Sequence, residues 1–302
     1  MLIHILLKQI ATMALLMAVG YFLDRKGFLS EQGVKDLGAI LLKVIIPCVI
    51  VRSCLVEYSG DRLTQLLESA LLALLGFALA MLISWFVFGK RHRIENFSAA
   101  FCNAGFIGIP LAQAVIGSDG AFFIAASIAF LNLFQWTYGV YILTDDKSAI
   151  SFKVILKNPV VISIVVGVLL FVSRIPIPQV LLGTLGHIAN MNTPVAMILM
   201  GTYLAKLPWK QLLDKRAYLC VLFRLVVIPL VCLLAFRLVP VSNPAVTTAA
   251  FLAAITPVGA NICVFASRYD CDYKLSVVTV CLSTVLSVVT IPLLFFLSQI
   301  IL

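Results

Sequence analysis

Ten apolar runs, each close to the length that crosses a lipid bilayer, follow one another along this chain with short polar connections between them. A bilayer core is about 30 Å thick and takes about 20 mainly apolar residues to cross as a helix. Inside it, every backbone N–H and C=O must be satisfied by the chain itself, which leaves a helical bundle as the fold open to such a pattern. The runs lie at roughly 4–23, 36–56, 66–88, 97–116, 120–143, 158–173, 180–205, 217–238, 245–266 and 274–300. The longest connection, 144–157, has no room to fold as a domain outside the membrane. Charged residues make up 12% of the chain, against about 25% in a soluble domain. The stretch from Met1 lacks a basic leader and a small-residue cleavage site, so 4–23 reads as a first span rather than a signal peptide.

Basic residues alternate between connections. The odd-numbered ones hold Arg25, Lys26 and Lys35; Lys90, Arg91 and Arg93; Lys147, Lys153 and Lys157; Lys206, Lys210, Lys215 and Arg216; and Arg268 and Lys274. The even-numbered ones hold Arg62, Arg174 and Arg237 alone. By the positive-inside rule the odd connections are cytoplasmic and both termini lie outside, on a multi-pass protein of the cell (cytoplasmic) membrane. The net charge of +9 reports this topology rather than nucleic-acid binding.

The two halves resemble each other. AAFCNAGFIGIPLAQAVIG (99–117) aligns with AAFLAAITPVGANICVFAS (249–267), each followed by an acidic turn and a long apolar run, and Pro47 has a counterpart in Pro194. The expected organisation is a first five-helix repeat at 1–143, a short cytoplasmic linker at 144–157 and a second repeat at 158–302. An odd number of spans per unit turns the second unit upside down, an architecture recurrent in secondary transporters. Asn103, Gly105, Gly108 and Pro110 in span four, and Thr256, Pro257, Gly259 and Asn261 in span nine, are residues that break helices. Interrupted helices running in opposite directions would bring two half-helix N-termini to one point, each with about half a positive charge. That point suits an anion or a carboxylate. The plainer alternative is a pair of proline kinks that ease helix packing.

Of the charges inside the spans, Lys43 lies one turn before Pro47 and is the best counter-charge for a substrate. Arg52 and Arg224 read as side chains whose heads reach an interface. Asn132, Gln135, Asn190 and Asn192 would line the cavity or bridge helices. With Lys and Arg as the embedded charges and no carboxylate near a midplane, an anion fits better than a cation. Cys48, Cys54, Cys102, Cys220, Cys232, Cys263 and Cys281 fall in apolar runs and Cys271 in a connection, without metal-ligand spacing. His4, His92 and His187 form no ligand set, and no nucleophile elbow, zinc motif or phosphate loop occurs. No metal, no cofactor and no enzymatic activity is expected.

NAGFIGIPLAQAVIG (103–117) resembles the fourth-span signature of the auxin efflux carrier family, TPVGANICVFASRYD (256–270) its ninth-span motif, and LSTVLSVVTIPLL (282–294) the end of its tenth span. The short connection at 144–157 is similar to the short, prokaryotic, malonate- or malate-permease-like branch. The resemblance implies spans four and nine crossing at broken centres, with asparagines near the crossing holding a weak acid. Carried over, these are Asn103 and Asn261, with Pro110 and Pro257 shaping the backbone. Ala253 and Ile255 stand where the first half has Asn103 and Gly105, so the half-sites are not chemically symmetric. The implied activity is alternating-access transport of a small organic anion, a mono- or dicarboxylate. A sodium-coupled symporter like the bile-acid carriers and a non-transporting ligand sensor remain open. The implied partners are that anion and the bilayer, with a homodimer as a common assembly of such folds.

Overall fold

The computed structural model describes residues 2–207 and 214–302. Met1 and the stretch 208–213, which includes Lys210 of the seventh connection, lie outside the described residues. Within them the regular structure is helical, apart from an isolated antiparallel bridge between Cys102 and Val258.

In chain order the helices are α1 (Leu2–Arg25), α2 (Glu31–Cys54), α3 (Gly60–Phe88), α4 (Arg93–Ala100), α5 (Ala104–Ile116) and α6 (Asp119–Thr144). They continue with α7 (Phe152–Leu156), α8 (Pro159–Ser173), α9 (Gln179–Asn190), α10 (Asn192–Ala205), α11 (Lys215–Arg237), α12 (Pro244–Ala254), α13 (Asn261–Arg268) and α14 (Tyr273–Ile301). Six of them, α1, α2, α3, α6, α11 and α14, are long and apolar enough to cross a membrane. The stretch Lys147–Leu156 joined to α8 across a 47° bend is a further candidate. The apolar runs at 97–116, 180–205 and 245–266 are each split in two, as α4/α5, α9/α10 and α12/α13.

Local sequence explains these boundaries. Asn158 and Asn243 cap α8 and α12 by accepting from the N–H groups of Val160 and Ala245, each followed by a proline whose missing N–H costs nothing in a first turn. Ser59 caps α3, and Gly89 ends it with a φ of 56°. Three π turns, Leu41–Ile45, Ala104–Gly108 and Phe223–Val227, each run into an Ile–Pro pair: Ile46–Pro47, Ile109–Pro110 and Ile228–Pro229. Proline cannot donate, and its ring crowds the carbonyl one turn back; widening that turn relieves both conflicts without breaking the helix.

Side chains facing outward are apolar: Leu15 is 71% exposed and Phe86 77%. Exposure of that kind along long helices is what a lipid solvent requires and what a water-facing surface avoids. Between helices, small residues permit close contact. α1 lies along α10 with Gly20 against the Ile198 carbonyl and Gly201 against the Met17 carbonyl, where an added Cβ would sit 2.0 Å from either oxygen. α2 packs on α8 and α9 beside this pair, while α3, α6, α11 and α14 surround the interrupted helices.

Candidate functional site

The two deepest interruptions meet. α4 ends at Ala100 and Phe101 is extended; α12 ends at Ala254, and Pro257 keeps the chain from resuming the helix at once. Across the gap Asn103 N–H donates to the Pro257 carbonyl at 2.9 Å, and Gly259 N–H donates to the Phe101 carbonyl at 3.0 Å. Val258 N–H donates to Ser283 Oγ of α14 at 3.1 Å. Backbone freed by each break is thus satisfied by the other break, which is how unwound chain survives at membrane depth. The contact admits glycine alone at 259, since a Cβ there would lie 2.8 Å from the Cys102 carbonyl oxygen.

One face of this bridge gathers the N-terminal ends of α5 and α13. Asn103 caps α5, its Oδ1 accepting from Phe106 N–H at 3.3 Å. That bond fixes which end of the amide is which, and it leaves Asn103 Nδ2 buried without a partner. Asn261 opens α13 and its Nδ2 donates to Gln135 Oε1 at 3.1 Å, while Gln135 Nε2 is also buried without a partner. Exchanging both amides' ends would only move the free donor from Gln135 to Asn261. Asn132 completes the polar wall; its Nδ2 donates to the Ile128 carbonyl and its Oδ1 accepts from Asn158. Asn103, Gly105, Asn132, Gly259, Ala260 and Asn261 border a cavity of about 30 Å³, lined elsewhere by apolar side chains such as Ile46 and Phe106. That is room for a water molecule or two and too little for a dicarboxylate, so any such ligand requires the helices to part.

The opposite face gathers the C-terminal ends of α4 and α12. Here Arg224, carried on the π turn of α11 and 2% exposed, donates to the Ala99 carbonyl at 3.3 Å and to the Ala254 carbonyl. A second cavity of about 20 Å³ lies beside it, bordered by Ser127, Ala253 and Cys102. Cys102 borders both cavities, so the bridge is the wall between them.

Several sequence-based expectations change in detail. The first interruption is Phe101–Asn103; Gly105, Gly108 and Pro110 lie in helix beyond it, with Gly105 at the cavity and Gly108 packed on Ile124 and Thr256. Thr256 is fully buried and bonds its own turn through Ala253, while Pro257 supplies the carbonyl that anchors Asn103. Lys43 is exposed on the outer side of α2 and does not reach the cavity, because the residues of that turn facing inward are Leu42 and Ile46. Arg52 is exposed as well. Arg224 does the reverse of reaching an interface. Asn190 is exposed, and Asn192 is buried with both amide atoms unpartnered, away from this cavity. Arg224 could have been flagged by its depth in an apolar run; nothing local marks its carbonyl partners.

At the ends of the bundle, ion pairs tie connections together, Arg62 with Asp119 at 3.2 Å and Lys90 with Asp145 at 2.5 Å, while Arg216 pairs with Asp214 at 2.9 Å within one connection. The Arg216 guanidinium holds the Asp214 carboxyl below its ordinary value.

Compared with known proteins, residues 5–153 and 148–295 match the model of a family described as "Membrane transport protein". The chain is also similar to the "Putative malonate transporter" of Rhizobium meliloti (strain 1021), 26% identical over an alignment of 229 residues, with 71% of each chain covered.

Proposed function

Since the chain belongs to the membrane transport protein family, that of the auxin efflux carriers, and is a multi-pass membrane transporter rather than an enzyme, we propose that its cargo is a small organic anion, a mono- or dicarboxylate bound at the crossing of the two interrupted helices. The observation that carries this reading is the N-terminal face of the bridge. Two helix N-termini, each with about half a positive charge, and the unpartnered amide donor of Asn103 converge on one cavity. A carboxylate accepts from such donors, and bonds to a charged group are stronger than neutral ones. Asn103 and Asn261 would hold the carboxylate directly. Gly105 and Gly259 would let the backbone approach it, and Pro257 would keep the bridge in register. Gly108, Pro110 and Thr256 would support the surrounding turns, while Lys43 has no part in the closed form.

The mechanism proposed is alternating access. Ten spans form two inverted five-helix repeats, 1–143 and 158–302, joined by the cytoplasmic linker 144–157, in the cell membrane with both termini outside. The crossed helices move against a scaffold that includes α1, α2, α8, α9 and α10. Support comes from the packing of α1 on α10 and of α2 on α8 and α9, and from the small size of the cavity, which must widen to admit a carboxylate. A homodimer is compatible with this arrangement.

Malonate is the first probe, because the relative's name specifies it. The purified protein is melted against a panel of small carboxylates and then tested for malonate uptake in proteoliposomes. Stabilisation that saturates with ligand concentration, with uptake above protein-free vesicles, supports the reading. Neither response to any carboxylate sinks it.

A further inference from the structure

The C-terminal face of the bridge holds a charge that anion recognition does not require. A helix ends with carbonyls that lack partners and with about half a negative charge. The crossing brings two such ends, those of α4 and α12, to one point inside an apolar bundle, where together they amount to roughly one negative charge. Left alone in a medium of low dielectric, that focus is costly. It would be relieved by a cation taken from solution or by one supplied by the chain.

Here the chain supplies it. The Arg224 guanidinium donates to Ala99 of α4 and to Ala254 of α12, one partner on each interrupted helix. Among the described residues no carboxylate pairs with it. Guanidinium is charged at every relevant pH and presents a planar fork of donors, so one group can serve two carbonyls at once. The π turn Phe223–Val227, drawn out ahead of Pro229, carries the arginine at this depth. The neighbouring carbonyls of Phe101 and Pro257 are already occupied by Gly259 and Asn103 N–H groups. Four carbonyls of the crossing thus each accept a hydrogen bond from the chain itself.

We propose that Arg224 is a positioning residue, a tethered cation that locks the C-terminal ends of the two crossed helices together, and that transport by this chain consequently needs no sodium ion at the crossing. The transport part of this inference rests on the crossing being the substrate site; the locking part does not. With the negative ends neutralised from their own side, the positive field of the N-terminal face is left for the anion.

The test compares the wild-type protein with Arg224→Lys, Arg224→Met and Arg224→Ala. Each is melted in choline chloride, sodium chloride and methylguanidinium chloride of equal ionic strength, and assayed for malonate uptake with and without sodium. The expected result is a wild-type melting temperature and uptake rate unchanged between sodium and choline. Arg224→Met should lose several degrees and most uptake, and Arg224→Lys should keep most of both. Arg224→Ala should recover part of its lost melting temperature in methylguanidinium but none in choline. Sodium-stimulated uptake or stability of the wild type overturns the proposal, and so does an Arg224→Met protein that melts and transports normally. Should Arg224→Met and Arg224→Ala be too unstable to purify, Arg224→Lys and the wild-type sodium comparison decide it: a lysine variant as unstable as the other two, or a sodium-stimulated wild type, overturns the proposal. Wild type without malonate uptake, but with the expected melting pattern in the variants, would count against the malonate reading and in favour of the lock.

Discussion

The two faces of the helix crossing are made from the same pair of interrupted helices, yet they treat their polar groups oppositely. On the C-terminal face, a buried guanidinium spans the carbonyls of Ala99 and Ala254. On the N-terminal face, the amide nitrogens of Asn103 and Gln135 are buried with no partner. Buried polar groups are ordinarily satisfied, because leaving one bare costs about 1–3 kcal/mol. On the first face the chain itself engages both helix-end carbonyls, and the Arg224 Nε is the one group there left without a partner among the described residues. The second face keeps a bare donor at the N-terminus of α5, on Asn103, and another on Gln135, which accepts from Asn261 at the N-terminus of α13.

This contrast can be broken most severely at Arg224. Replacing it with methionine removes the charge and leaves both carbonyl ends bare, and the loss should be about 2–6 kcal/mol, from about 1–3 for each carbonyl. A melting curve near that of wild type would mean the two faces do not differ as argued.

Asn103→Ser is the complementary change. Serine keeps an N-cap acceptor for α5 but removes the amide donor, so folding should be nearly intact while carboxylate affinity falls. A hydrogen bond to a charged group contributes about 1.5–3 kcal/mol, so the dissociation constant should rise about tenfold or more. Titration of the thermal shift with malonate measures it, and an unchanged midpoint removes Asn103 from the site.

Gly259→Ala should act on both faces at once. Its Cβ would press on the Cys102 carbonyl oxygen at 2.8 Å, and overpacking of that kind costs about 1–3 kcal/mol. Stability and ligand response should therefore fall together, unlike in Asn103→Ser.

Asp214 and Arg216 provide a satisfied pair far from the crossing. Because Arg216 holds the Asp214 carboxyl below its ordinary value, the pair's contribution is complete above the unfolded carboxylate pKa. It disappears as pH falls through the folded value. Asp214→Asn should lower the melting temperature slightly near neutrality, and the difference from wild type should vanish in acid; both groups meet solvent, so the effect is small. Smallest of all is Lys43→Gln. With Lys43 exposed outside the cavity, malonate affinity should not change, and a clear loss would bring that side chain back to the site.

The sequence made the apolar runs legible because lipid imposes one length and one chemistry on every crossing segment. The interruptions at 101–103 and 255–260 were legible in part, since proline, glycine and asparagine carry their backbone preferences with them wherever they occur. Their extent was not. Gly105, Gly108 and Pro110 could sit in unwound chain or in helix, and a π turn that absorbs Pro110 decided for helix. Asn132 and Gln135 were candidates for the cavity or for helix bridging; Asn132 borders the cavity, and Gln135 accepts from Asn261 on another helix.

Arg224 and Lys43 mark the boundary most clearly. Each is a cation inside an apolar run within a few residues of an Ile–Pro pair, and local pattern favoured Lys43 for the site. By itself, the sequence determined a membrane-embedded helical chain with two breakable helices and asparagines beside the breaks, because those properties belong to single segments and to their solvent. Only the tertiary structure decided which cation turns inward and which turns outward, and that Ala99 and Ala254 share one guanidinium across 155 positions of chain. A side chain's direction is set by the helices packed around its own, and those lie too far along the chain for local pattern to report.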